Sequence, residues 1–214
     1  MFEELARSVQ EGDSQATRRL VESALGRGID PLAIFEQGLG NGIRVVGDGF
    51  GRGDVFLTQL VMAADAMKAG LEILQPELKK KGQNPTAMGK IVLGTVKGDI
   101  HDLGKTIVAT MLQINGFEVV DLGVDVAPMK FVEKAMEINA NIIGLSALMT
   151  TTLPFQRDVT KSLSDMGLRH KFKVVIGGAP VTDKWAREMG ADAYATDAII
   201  GVERAKQLVS APTK

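Results

Sequence analysis

The stretch Ile91-Val92-Leu93-Gly94-Thr95-Val96, continued by Lys97-Gly98-Asp99-Ile100-His101-Asp102-Leu103-Gly104, decides the fold of this chain. Its first part is a mostly apolar run of the kind buried on both faces of a parallel sheet. Its second part is polar and bounded by glycines, which marks a loop. Lys105-Thr106-Ile107-Val108-Ala109-Thr110-Met111-Leu112 then reads as a helix. In open α/β sheets such a strand-to-helix loop lies at the rim where ligands bind. The loop carries His101, one of only two histidines in 214 residues. Asp99, two residues earlier, can turn back and accept the proton of the imidazole's far nitrogen, the usual way a metal-bound histidine is oriented. Taken alone, the same residues also fit a surface loop with an incidental histidine.

The pattern repeats toward the C-terminus. Strands are predicted at 90–96, 117–122, 141–146, 172–177 and 193–196, and helices near 103–115, 127–139, 152–166, 181–189 and 198–210. Five such β-α units imply an α/β class with a flavodoxin-like parallel sheet, expected in the order 2-1-3-4-5. The polar outliers fall after the strands: Asp121-Leu122-Gly123 after the second, Ser146 to Thr152 after the third, Gly177-Gly178-Ala179-Pro180 after the fourth, and Thr196-Asp197-Ala198 after the fifth. Each has a plain structural reading. Paired glycines make turns, and Thr151 or Thr152 is placed to cap the helix that opens at Leu153-Pro154. Glycines also leave room for a bulky ligand, and hydroxyls offer it neutral hydrogen bonds.

Toward the N-terminus the grammar is helical. Phe2, Leu5, Ala6 and Val9 form one stripe, which Gly12-Asp13 breaks, with Asp13 as a cap for the next helix. Asp30-Pro31 opens a third helix with the apolar face Leu32, Phe35, Leu39, Ile43 and Val46. A fourth runs from Leu57 to Lys81 and carries Leu60, Val61, Ala64, Met67, Leu71 and Leu74. Four amphipathic segments with short connections suggest a four-helix bundle. The predicted organisation is a helical domain at 1–82, a linker at 83–89 that is polar and holds both Gly and Pro, and an α/β domain at 90–214.

Composition removes several chemistries. Zero cysteines exclude disulfides, thiolate metal sites and a cysteine nucleophile. Two histidines exclude a multi-histidine site, so a metal held by His101 must bring most of its other ligands with it, as in a macrocycle. Lys plus Arg (25) nearly balances Asp plus Glu (26), so no strong field points to nucleic acid or an anionic membrane. No run is long and apolar enough for a span, and Met1-Phe2-Glu3-Glu4-Leu5 lacks the start of a signal peptide, so a cytoplasmic location is expected. His170, between Arg169 and Lys171, reads as a surface residue.

Asp99-x-His101-x-x-Gly104, then Ser146-x-Leu148, then Gly177-Gly178, each after its predicted strand, resembles the cobalamin-binding signature. Val45-Val46-Gly47-Asp48-Gly49-Phe50 through Phe56-Leu57-Thr58-Gln59 resembles the cap of the methyl-carrying class. The resemblance spans almost the whole chain and is nearest to corrinoid proteins of methyltransferase systems and the cobalamin module of cobalamin-dependent methionine synthase. It implies cobalamin or a related corrinoid as cofactor, with His101 as axial ligand of cobalt and Asp99 and Thr152 as its proton relay. The family often has serine where Thr152 stands. It further implies cofactor contacts from Gly98, Asp99, Asp102, Gly104, Ser146, Leu148, Thr150, Gly177, Gly178 and Ala198, and from the cap residues Glu36, Phe50 and Leu57.

The implied function is a corrinoid methyl carrier of one-carbon metabolism, in methanogenesis or acetogenesis, cycling between Co(I) and methyl-Co(III). Its implied partners are a substrate-specific methyltransferase (methylamine, methanol, betaine or methoxy-compound type), an acceptor methyltransferase using tetrahydrofolate or coenzyme M, and a reductive activase. Little turnover is expected of the chain alone. An adenosylcobalamin-dependent mutase subunit and a non-catalytic cobalamin-binding module remain as alternatives. The mutase module lacks such a helical cap, and the simple binding module leaves the histidine loop unexplained.

Overall fold

The computed structural model describes residues 1–82 and 88–210. The chain forms two compact units, Met1–Thr86 and Ala87–Lys214. Of the stretch read as a linker, 83–87 lie outside the described residues, and Gly89 already opens the first strand.

The first unit is helical: α1 (Phe2–Gln10), α2 (Ser14–Gly26), α3 (Pro31–Ala33), α4 (Gly40–Arg52) and α5 (Leu57–Lys80). Asp13 caps α2 as its position predicts, its carboxylate accepting from the Ala16 N–H at 2.8 Å. Asp30 stands before Pro31 at the start of α3, but its carboxylate pairs with Lys81 rather than capping the helix. Between α3 and α4 the helix continues without a break as a π segment, Ile34–Leu39. This wider turn corrects the expected apolar face. Ile34 and Leu39, five residues apart, are both fully buried, and Ile43 and Val46 continue the stripe, whereas Leu32 and Phe35 are only half-buried. A 3.6-residue period cannot bring positions five apart onto one face, but one π turn can.

In α5 the buried stripe is also not the one predicted. Ala63, Ala66, Ala69 and Gly70 join Leu60, Leu74 and Leu78 inside, while Val61 is exposed and Ala64, Met67 and Leu71 are half-buried. Small residues face inward because the neighbours are close. A Cβ at Gly70 would stand 2.8 Å from Leu39 Cδ2 and 3.0 Å from Thr17 Cγ2.

The second unit holds one parallel sheet in the order β2-β1-β3-β4-β5, as predicted. Its strands are β1 (Gly89–Thr95), β2 (Phe117–Asp121), β3 (Ile142–Ser146), β4 (Lys173–Gly177) and β5 (Ala193–Ala195). The helices are α6 (Leu103–Ile114), α7 (Pro128–Glu137), α8 (Leu153–Asp165), α9 (Asp183–Met189) and α10 (Ala198–Ser210). Central β1 and β3 are buried along almost their whole length, which is why they read as continuous apolar runs. Phe131, Val132 and Ala135 of α7 and Val159 and Leu163 of α8 pack with Val92, Ile143, Leu145 and Val174 of the strands in one core cluster. Strand register aligns the functional rim: Thr95 is level with Ser146, Ser146 with Gly177, and Gly177 with Ala195.

Candidate functional site

At this rim β1 passes into the histidine loop. Gly98 turns the chain with φ +76°, a region glycine enters without steric cost. Asp99 is fully buried, whereas the His101 side chain is 49% exposed. Asp99 Oδ1 lies 2.7 Å from His101 Nδ1 and accepts the His101 backbone N–H at 3.1 Å. Its other oxygen, Oδ2, accepts from the N–H groups of Leu148 (2.7 Å) and Met149 (3.3 Å) in the loop after β3. The Thr152 hydroxyl lies 2.9 Å from that same oxygen. Burial alone would raise the Asp99 pKa. The hydrogen bonds from His101, Leu148 and Thr152 outweigh it and hold the carboxyl down at about 2. Asp99 is therefore an anion at any physiological pH, fastened on five donors.

This network assigns the two ring nitrogens of His101. Nδ1 is engaged by Asp99, so Nε2 is the nitrogen that can bind a metal. Thr152 stands at the N-cap of α8, yet its hydroxyl makes no capping bond. It lies 2.9 Å from both Asp99 Oδ2 and the Met149 carbonyl oxygen, and its single proton goes to the charged carboxylate, the stronger acceptor. Of the two roles its position allows, the structure shows the one toward the carboxylate. Among the described residues no three His, Asp or Glu side chains converge on a metal-sized position. A metal here would find one protein ligand.

The surroundings fit a large, flat, largely apolar group. Ile100, Leu103 and Leu148 are 74%, 65% and 43% exposed, although exposed apolar side chains gain nothing from water. A Cβ at Gly104 would meet nothing within 4 Å, so no neighbour in the protein requires glycine there. Gly178 is different. It has φ +129°, and a Cβ would lie 1.7 Å from the Ala147 carbonyl oxygen. Its glycine is explained by the close passage of two main chains, whatever binds. Gly177 is intermediate, since its Cβ would stand 3.2 Å from the Ala195 oxygen.

The remaining predicted residues divide between the two units. Asp102 is the exposed N-cap of α6, and Thr150 is exposed in the loop after β3. Ser146 ends β3 half-buried, and Ala198 is buried at the start of α10. Glu36 is exposed on the π segment, Phe50 is half-buried on α4, and Leu57 is half-buried at the start of α5. His170 is exposed just before β4, at the other end of the sheet.

Three polar residues that sequence reading passed over hold the site together. The Thr95 hydroxyl donates to the His101 carbonyl oxygen at 2.9 Å. Asp125, after β2, accepts the Gly98 N–H at 2.8 Å, and its own N–H donates to the Asp99 carbonyl at 2.9 Å. Lys105, almost fully buried in the first turn of α6, pairs with Asp121 at the end of β2. No local signal marks Asp125, because its partners stand 26 and 27 positions away. Lys105 could have been noticed as a charge followed three, four and seven positions on by the apolar Val108, Ala109 and Leu112.

Two family models describe this chain, both of B12-binding domains, one over residues 1–75 and one over 89–203. Dimethylamine corrinoid protein 1 of Methanosarcina acetivorans is 52% identical over 210 residues, 98% of both chains. Trimethylamine corrinoid protein 2 of the same organism is 47% identical, covering 92% of this chain and 93% of its own. Among solved structures, the methanol:cobalamin methyltransferase complex MtaBC of Methanosarcina barkeri superposes with a TM-score of 0.90 at 28% identity, covering 98% of this chain and 80% of that one.

Proposed function

The chain belongs to the B12-binding family of corrinoid proteins, and from that premise we propose that it carries a methyl group between a methylamine-specific methyltransferase and an acceptor methyltransferase. The observation that carries this reading is the coupling of a half-exposed His101 to a buried, five-donor Asp99. A bound corrin would supply the cobalt chemistry of accepting and giving up a methyl group. The chain's own residues do the rest. His101 would offer Nε2 to the metal, while Asp99 keeps the proton on Nδ1 and orients the ring. Thr152 and the Leu148 and Met149 N–H groups hold Asp99 still. Ile100, Leu103 and Leu148 present apolar surface to the macrocycle, and Gly104 leaves it room. Ser146, Thr150, Gly177, Gly178 and Ala198 line the strand ends where the cofactor's tail would lie.

The methylamine assignment is supported by relatives named for dimethylamine and trimethylamine at about half identity. To the helical unit we assign shielding of the methyl group, with Glu36, Phe50 and Leu57 as the residues to test. The same reading requires a reductive activase to restore cobalt after adventitious oxidation.

The test is reconstitution of the full chain with cobalamin, reduction, and presentation of the dimethylamine-, trimethylamine- and methanol-specific methyltransferases with their donors. Absorption spectra should report methylation with a methylamine enzyme. Methylation by the methanol enzyme alone would overturn the donor assignment. A His101→Ala protein whose loaded spectrum matched the parent's would overturn the axial-ligand assignment.

A further inference from the structure

The axial-ligand reading leaves open what keeps the His101 main chain in place when the imidazole binds and leaves cobalt. Asp99 orients the ring, but Asp99 itself sits on a loop of seven residues between β1 and α6 that glycine makes deformable. That loop is held from outside at two places. Asp125 accepts the Gly98 N–H on its carboxylate at 2.8 Å and donates its own N–H to the Asp99 carbonyl at 2.9 Å, so one residue brackets the peptide units on either side of the turn. Asp125 does this from a left-handed conformation, φ +53°, uncommon for any residue but glycine, and most tolerated by Asn and Asp. Lys97 lies 3.3 Å from the same carboxylate oxygen. On the far side, fully buried Thr95 donates its hydroxyl to the His101 carbonyl at 2.9 Å. The Val96–Val126 bridge and the Val126 N–H on the Thr95 carbonyl join the two supports into one rigid edge.

We propose that Asp125 and Thr95 are positioning residues that clamp the histidine loop, and so set how far the equilibrium between bound and released His101 lies toward cobalt. The proposal rests on His101 being the axial ligand. The hydrogen bonds of both residues go to the main chain that carries the imidazole and not to the ring. A strained residue with a two-way grip on the loop is a poor choice for a connection whose only task is to link β2 to α7.

The experiment loads the full chain with methylcobalamin and reads the absorption bands that distinguish histidine-on from histidine-off cobalt. Asp125→Asn keeps an acceptor oxygen and tolerates the backbone, and should match the parent. Asp125→Gly keeps the backbone conformation but removes the acceptor. It should lower the on-to-off ratio about fivefold, the loss expected for one unmade hydrogen bond. Thr95→Val, close in shape, should lower the ratio in the same direction and gives an independent reading if the glycine variant does not fold. Binding of the cobalamin itself should weaken by no more than the factor lost in the on-to-off ratio. His101→Ala serves as the off-state reference. If its spectrum equals the parent's, the axial reading fails. If that variant is off while Asp125→Gly and Thr95→Val stay as fully on as the parent, the clamp fails.

Discussion

Asp99 is a buried carboxylate that is stable as an anion only because every one of its contacts is a donor. Burial in itself would disfavour the charge, and four hydrogen-bonding groups beyond the imidazole reverse that preference. At this scale the site is a small lattice of bonds in which each removal leaves a buried partner unsatisfied. Gly178 shows the same dependence on close approach. A methyl group there would overlap the Ala147 carbonyl oxygen, and its φ of +129° is forbidden to other residues. Gly178→Ala should therefore destabilise the protein by at least about 3 kcal/mol, as overpacking and backbone strain add. Urea unfolding measures this, and a variant within 1 kcal/mol of the parent (about the scatter of an ordinary surface substitution) would refute the steric account.

Among the elements, the start of α10 is held by a cap that the histidine site does not share. Asp197 accepts the N–H groups of Ile199 and Ile200 at 2.9 Å on one oxygen and the Thr196 hydroxyl on the other. The Ile200 N–H is the main cause that holds its carboxyl below the usual range, with burial opposing and the Thr196 and Ile199 bonds adding. Since the folded state lowers this pKa, the contribution to stability is complete above the unfolded value of about 3.9 and disappears as pH falls through the folded value. Asp197→Ala should cost about 1 kcal/mol near neutral pH. Thermal melts at falling pH should show the gap from the parent closing below about pH 4. A gap that stays constant to lower pH would mean the carboxylate is not the cap. The π segment in the third helix is the other decisive element, because it alone brings Ile34 and Leu39 onto one face.

For the whole molecule, the charge is nearly balanced, and no described helix is long and apolar enough to cross a membrane. The largest external contribution to stability should then come from the cofactor. A ligand bound only by the folded state, at a free concentration about a hundred times its dissociation constant, stabilises by about 2.7 kcal/mol. Adding hydroxocobalamin should raise the melting temperature with that concentration dependence. A melting temperature that does not move with cobalamin would contradict specific binding to the native fold.

The positions of the strands, the strand ends that face the site and the Asp99–His101 pairing were legible in the sequence, because each is local or periodic. The order of the strands was only expected from the fold class, and it is set by pairings between distant segments. Unbroken apolar runs mark buried parallel strands, glycine-bounded loops mark their exits, and two residues apart is a distance the chain spans by itself. The two-stage helical pattern and the absence of any thiol were equally plain. What only the tertiary structure decided depends on groups far apart in the chain. The diversion of Thr152 from a helix cap to Asp99 is one such case, and the grip of Asp125 on Gly98 is another. The steric need for Gly178, the buried Lys105–Asp121 pair and the small-residue face of α5 complete the set. A composition or a period records what a residue prefers on average. Which of its permitted hydrogen bonds it makes is settled by the neighbours that packing brings within reach.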